Sequence, residues 1–202
     1  MQNPAPTMRL LEYNLGFDSV SRCSSSVAHL AMRERVFLYS LVFSVGPQWS
    51  LEIGTYEGGS AEIISGALDD LQLGGRLISI DPHPGQISID RQRVSHNTEF
   101  VEGFFPRDIA KVRPPGGAKF DFAFVDGNHR YEGVFGDLEA LGAILNDGAL
   151  VLLHDAYNTD VDRAIRDSVQ AGWYSDGGRV GRVRNDLTPG ELYGGLHLLA
   201  KR

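Results

Sequence analysis

The chain has 202 residues, of which 42% are hydrophobic and 22% charged, with a formal net charge of −7. That is the make-up of an ordinary globular domain with one sizeable core, and the acidic balance argues against broad binding to nucleic acid or to an anionic membrane, which needs a positive excess. The single cysteine, Cys23, excludes an internal disulfide, so nothing asks for an oxidising compartment and a cytoplasmic location is the simplest expectation.

The chain opens MQNPAPTMRL, which lacks the basic-then-apolar layout of a signal peptide. Residues 1–23 hold prolines and polar residues without a period and read as an irregular lead-in over a site or a partner. Ser24, Ser25 and Ser26 are candidate caps for a helix over 27–45 that stops at Gly46-Pro47. Its apolar run 36-VFLYSLVFSVG-46 is too short to span a bilayer and reads as a core helix end; the same helix is a candidate interface for a homo-oligomer.

Beyond Pro47, short apolar runs alternate with helical patterns. The runs are 49-WSLEI-53, 76-RLISI-80, 98-TEFV-101, 120-FDFAFV-125 and 148-GALVLL-153. Between the last two, Val134, Leu138, Leu141 and Leu145 fall on one helical face. This alternation predicts an α/β fold with a mostly parallel sheet covered by helices on both sides. The closing pieces, 179-RVGRVR-184 and 195-GLHLLAKR-202, read as a C-terminal antiparallel hairpin; the arginines of the first serve to discourage edge pairing, their alternative being contact with an acidic substrate. The segment 113-RPPGGA-118 is a tight connection, so the chain divides into a lead-in and helix, 1–46, and one ligand-binding domain, 47–202.

In an open parallel sheet, ligands sit beyond the carboxyl ends of the strands. The first such exit reads Glu52-Ile53-Gly54-Thr55-Tyr56-Glu57-Gly58-Gly59-Ser60, a loop whose glycines permit positive φ and close approach of a ligand. Its spacing is not the G-x-G-x-x-G that seats a pyrophosphate, and Glu52 and Glu57 place negative charge where a pyrophosphate would lie. A ligand with a cationic end, such as S-adenosylmethionine, suits it better. At the second exit, Asp81 offers paired oxygens for ribose hydroxyls, its alternative being a plain turn residue.

Four segments in this order, LEIGTYEGGSA, LISIDPHP, FDFAFVDGNHRYEGVFGDLEAL and GALVLLHDAY, resemble the class I S-adenosylmethionine-dependent methyltransferases. The closest likeness is to the small-molecule O-methyltransferases of the catechol, caffeoyl-CoA, macrolide and sugar type, over about residues 46–170. The resemblance implies a Rossmann-like, seven-stranded sheet with a reversed last strand. It also implies that Glu52, Gly54, Thr55, Tyr56 and Ser60 line the methionine end of the cofactor, with Gly58 in the same loop. Asp81 would hold the ribose, and Gly103 and Phe104 would flank the adenine.

The fourth and fifth apolar runs end at Asp126 and at His154-Asp155. Neighbouring parallel strands lie about 5 Å apart, so Asp126 and Asp155 can converge, either as a Mg²⁺ site or merely as caps of the helices that follow. The metal-dependent O-methyltransferases resemble this chain here, with acids at the positions of Asp126 and Asp155 and a base at that of His129. By that likeness Asp126 serves metal, cofactor and catalysis together, and His129 accepts the proton of an acceptor hydroxyl. His154 departs from the pattern; it is a poor Mg²⁺ ligand but suits Zn²⁺, Mn²⁺ or Fe²⁺, its alternative being a hydrogen bonder beside the site. His29, His83, His96 and His197 have no partner legible in the sequence and read as structural.

The leading expectation is O-methylation of a small hydroxylated metabolite or sugar, assisted by a divalent metal. The competitors are an NAD-dependent oxidoreductase, a non-catalytic S-adenosylmethionine-binding module and, last, a metal-dependent hydrolase.

Overall fold

The computed structural model describes residues 17–180 and 194–202. Seven strands form one sheet: β1 (Trp49–Ile53), β2 (Arg76–Asp81), β3 (Thr98–Glu102), β4 (Phe120–Val125), β5 (Leu145–Leu153), β6 (Tyr174–Val180) and β7 (Leu196–Lys201). Their order is β3-β2-β1-β4-β5-β7-β6, with β7 antiparallel to both neighbours and the other pairings parallel. The expected mixed sheet and reversed terminal pair are therefore present. Of the expected strand 179–184, only its start lies in β6; Arg182 and Arg184 fall outside the described residues.

Helices α1 (Phe17–Ser25), α2 (Met32–Val45) and α3 (Gly59–Leu71) lie along one face. The other face carries α5 (Tyr131–Ile144) and α6 (Thr159–Gln170), while α4 (Arg91–Val94) is a single turn. The period-2 alternation of β1 and β2 sorts their side chains between these layers: Leu51, Ile53, Ile78 and Ile80 join the α5 side, and Leu77 the α3 side. On α5, Val134, Leu138 and Leu141 are buried as their spacing predicts; Leu145, also buried, is already the first residue of β5. No helix among the described residues is long and apolar enough to cross a membrane.

The N-terminal part differs from expectation. Residues 17–25 are helical, and the serines at 24–26 close that helix instead of capping the next. Arg35 explains the break: its guanidinium donates to the carbonyls of Cys23, Ser26, Ala28 and Leu30 at 2.6–3.2 Å, so these oxygens are drawn away from a continuous helical ladder. The Ser26 hydroxyl accepts from Ala28 N–H at 3.1 Å and donates to Gly59 O at 3.0 Å. Residues 26–31 thus cross over the start of α3, where a Cβ on Gly59 would collide with the Ala28 backbone. The next helix begins only at Met32, with the Glu34 carboxylate reaching back to the Ala31 N–H at 2.8 Å.

The ladder extends one residue past the strands. Gly54 N–H bonds Ile80 O at 2.9 Å, Asp126 N–H bonds Ile53 O at 2.9 Å, His154 N–H bonds Val125 O at 3.0 Å and Gly103 N–H bonds Asp81 O at 3.1 Å. Each loop that the sequence singled out therefore leaves the sheet at one level, around the point where the connections from β1 and β4 diverge.

Candidate active site

A cavity of about 820 Å³ opens at that level. The glycine loop, Asp81, the turn after β3, the Asp126 turn, His154-Asp155 and residues 27–31 all line it. Gly54 has φ +92°, and a Cβ there would strike the Asp126 carbonyl, so the close approach of the β1 and β4 turns requires glycine. Thr55, Tyr56, Ser60, Gly103 and Phe104 line the cavity as well, whereas Gly58 lies behind the loop, against Ile87 and Ile89.

Glu52 is placed beneath the cavity, not on its wall. Strand alternation turns it to the α3 face, opposite its register partner Ser79. The Ser79 hydroxyl bonds both Glu52 Oε2 and Thr55 Oγ1, while Oε1 of Glu52 has no partner among the described residues. Full burial pushes the Glu52 carboxyl up to about 8, against the opposing pull of the Ser60 and Ser79 hydroxyls. Of the two glutamates expected to repel a pyrophosphate, only Glu57 lines the cavity.

Asp81 is held by backbone. Its Oδ2 accepts from Thr55 and Tyr56 N–H at 2.9 and 3.1 Å, and its Oδ1 from His83 N–H at 2.6 Å. A carboxylate has about four lone-pair positions, so the group remains able to accept from a ligand while it braces the glycine loop.

At the β4 and β5 exits four side chains face one another. Asp126 Oδ1 lies 3.1 Å from His154 Nδ1 and 3.4 Å from His129 Nε2; Asp155 Oδ2 lies 3.2 Å from His129 Nε2 and 3.7 Å from His154 Nδ1. Asp155 adopts φ +51°, an uncommon backbone region, and its Oδ1 accepts from Gly194 N–H. Burial works to raise the Asp126 carboxyl, but His154 and His129 beside it hold it well below the usual carboxylate range. The hydrogen bond to Asp126 comes first in raising the His129 imidazole. Burial works to lower His154, and the carboxylates of Asp126, Glu34 and Asp155 overcome it to raise the imidazole well above its ordinary value.

Two acidic residues in the wall were missed by sequence reasoning. Glu34, 3% exposed, comes from α2 and approaches His154 Nε2 at 3.5 Å. Asp137, 2% exposed, comes from α5, and burial alone pushes it up to about 8. Each had a signal. Glu34 is in step with Leu38 and Val42 at i+4 spacing, and Asp137 sits among Val134, Leu138 and Leu141; an acid on a core stripe asks for a partner. Three of the histidines left unpartnered do have acids: His29 meets Glu57 at 3.1 Å, His96 meets Asp69 at 2.6 Å and His197 meets Asp176 at 2.7 Å, while His83 lines the cavity.

The described residues offer one ligand atom each from Asp126, His154 and Asp155 within 4.8 Å of one another, a spacing that fits a divalent cation.

A family model described as a methyltransferase domain matches residues 51–156, just over half of the chain, and this stretch contains the glycine loop, Asp81 and the Asp126 and Asp155 exits. The chain belongs to this methyltransferase family. The class I likeness read from the sequence therefore holds. Protein R132 of Acanthamoeba polyphaga mimivirus is 27% identical over 143 residues; the match covers 62% of each chain, so this chain spans less than two thirds of that relative. Among solved structures, an O-methyltransferase from Bacillus cereus in complex with SAH aligns with a TM-score of 0.69 at 17% identity, over 92% of this chain and 88% of that one. TomG, an O-methyltransferase of tomaymycin synthesis from Streptomyces achromogenes in complex with SAM, aligns with a TM-score of 0.68 at 19% identity, over 91% and 89%. At such identities the likeness concerns the fold.

Proposed function

We propose that the protein is an S-adenosylmethionine-dependent O-methyltransferase acting on a small hydroxylated acceptor with the help of a divalent cation. The observation that carries the reading is the charge of the cavity wall. Glu34, Glu57, Asp81, Asp126 and Asp155 line it as carboxylates, beside Asp137, which burial keeps protonated at neutral pH. Facing them are the Arg35 guanidinium, already engaged by four backbone carbonyls, and the imidazoles of His129 and His154, paired with these acids. Such a wall suits a sulfonium and an ammonium and repels the pyrophosphate of a dinucleotide. The cofactors named for the Bacillus and Streptomyces proteins support the same choice.

In this reading the glycine loop and Asp81 seat the donor, with residues 47–202 forming the catalytic domain and residues 1–46 contributing acceptor contacts. S-adenosylmethionine supplies a methyl group on its own leaving group. Asp126, His154 and Asp155 would hold a divalent cation, whose chemistry when bound would be to acidify an acceptor hydroxyl. His129 accepts the proton that the hydroxyl loses as its oxygen takes the methyl carbon, and Asp126 and Asp155 hold the imidazole in place for this. The cavity encloses the reacting groups and orients them, which is the main service a protein renders a methyl transfer.

A screen of hydroxylated acceptors with a labelled methyl donor, with and without Mn²⁺, Zn²⁺ or Mg²⁺, tests the proposal. Transfer that requires His129 is expected. A protein that binds S-adenosylmethionine yet transfers nothing under any of these conditions supports the binding-module reading instead.

A further inference from the structure

Glu34 lies outside every motif that carries the family likeness, yet it reaches the site from the far side of His154. The reason is strand alternation. His154 continues the β5 ladder one step beyond Leu153, so its side chain takes the same face as Leu152, the face covered by α2. There the Glu34 carboxylate is anchored at both ends, Oε2 on Ala31 N–H at 2.8 Å and Oε1 on Gly195 N–H at 2.7 Å. It cannot swing away without leaving two backbone donors unpaired.

The two nitrogens of His154 therefore see different surroundings. Nε2 lies 3.5 Å from Glu34 Oε2, an ion-pair distance, and makes no hydrogen bond among the described residues. Nδ1 faces Asp126 Oδ1 at 3.1 Å and Asp155 Oδ2 at 3.7 Å. Without a cation Nδ1 is hydrogen-bonded to Asp126; were a cation to take up the Asp126 and Asp155 oxygens, the imidazole would keep one hydrogen, and the fixed Glu34 carboxylate beside Nε2 favours that nitrogen for it.

We propose that Glu34 is a positioning residue that holds His154 with its hydrogen on Nε2, so that the Nδ1 lone pair joins the Asp126 and Asp155 oxygens as the third donor to a divalent cation. The inference rests on the metal reading above and names what makes His154 a ligand. It also names the cation class: one ring nitrogen with two carboxylate oxygens suits Zn²⁺, Mn²⁺ or Fe²⁺ better than Mg²⁺. A carboxylate behind a ligating histidine raises ligand basicity and fixes the ring, and losing it typically lowers metal affinity roughly 10–100-fold.

The test uses the whole chain labelled with ¹⁵N-histidine. Long-range ¹H–¹⁵N spectra, with His154 assigned through a His154→Gln variant, report which nitrogen carries hydrogen and which takes Zn²⁺. Calorimetric titration compares Zn²⁺ and S-adenosylhomocysteine affinities in the wild type, Glu34→Gln and Glu34→Ala. The expected result in the Zn²⁺-loaded protein is hydrogen on Nε2 and Zn²⁺ on Nδ1, with Zn²⁺ affinity falling roughly 10–100-fold in Glu34→Ala, less in Glu34→Gln, and S-adenosylhomocysteine affinity falling far less in both. Zn²⁺ on Nε2, or a folded Glu34→Ala with wild-type Zn²⁺ affinity, overturns the proposal. If Glu34→Ala does not fold, the spectrum of the Zn²⁺-loaded wild type decides. A wild type that binds S-adenosylhomocysteine but no divalent cation overturns the metal reading and this role together. Failure to bind S-adenosylhomocysteine strikes the donor reading instead and leaves the Zn²⁺ result to decide the role of Glu34.

Discussion

The two ends of the cavity are held by different forces. At the β1 and β2 exits, side chains and backbone satisfy each other locally: Asp81 accepts three backbone N–H groups, and Gly54 is glycine because the next turn leaves no room for a Cβ. At the β4 and β5 exits, Asp126, His129, His154 and Asp155 face one another, and Glu34 joins them from a helix far earlier in the chain. The first end is a shape set by backbone geometry. The second is an arrangement of charge, and it is where a proton can be moved.

The comparison is broken most directly by removing the charge that joins both histidines. Asp126→Asn is expected to lower methyl transfer by roughly a hundredfold or more, while S-adenosylhomocysteine affinity changes much less. Kinetics with labelled donor and calorimetry check the split, and equal losses in both would merge the two ends. Gly54→Ala should do the reverse, striking shape first. Its Cβ meets the Asp126 carbonyl, so a loss of roughly 2–4 kcal/mol in urea unfolding and weaker S-adenosylhomocysteine binding are expected.

The pH profile sharpens the charged end. His129 must be neutral to accept a proton, and its value is raised, so the rising limb of kcat/KM should lie above about 6.5 and move to lower pH in Asp126→Asn. Glu52 gives the shaped end its own pH signature. Its folded value of about 8 lies above an unfolded value near 4.3, so between these the folded state holds the extra proton and stability falls as pH rises. Glu52→Gln should therefore gain on the wild type between pH 5 and pH 8, as read from urea midpoints at the two values. A constant difference would contradict the assignment. The smallest effect is expected from His29→Ala, which removes an exposed pair with Glu57; its melting temperature and donor affinity should stay near those of the wild type.

Much of the shaped end was legible because its signals are short. A glycine whose carbonyl-side neighbour is a turn, or an aspartate one step past an apolar run, carries its meaning within a few residues. Asp126 and Asp155 were legible for the same reason, each ending a strand. Glu34 was not, because its role depends on which face of the sheet α2 covers and on His154 turning to that face. Glu52 was misplaced on the same account: adjacency to the loop suggested the cavity wall, and strand alternation sent it underneath. The form of the join between α1 and α2 escaped because it is set by Arg35, whose four carbonyl partners lie five to twelve residues away in a stretch that reads as irregular lead-in, cap and first helical turn.

The central claim is that the acidic cavity seats S-adenosylmethionine and not a dinucleotide. Parallel calorimetric titrations with S-adenosylmethionine and with NADH test it in one sitting, on the wild type and on Asp81→Ala. The account predicts that S-adenosylmethionine binds, that Asp81→Ala weakens it by roughly tenfold or more, and that NADH gives no heat of binding. NADH binding tightly, with S-adenosylmethionine indifferent to the loss of Asp81, would contradict it.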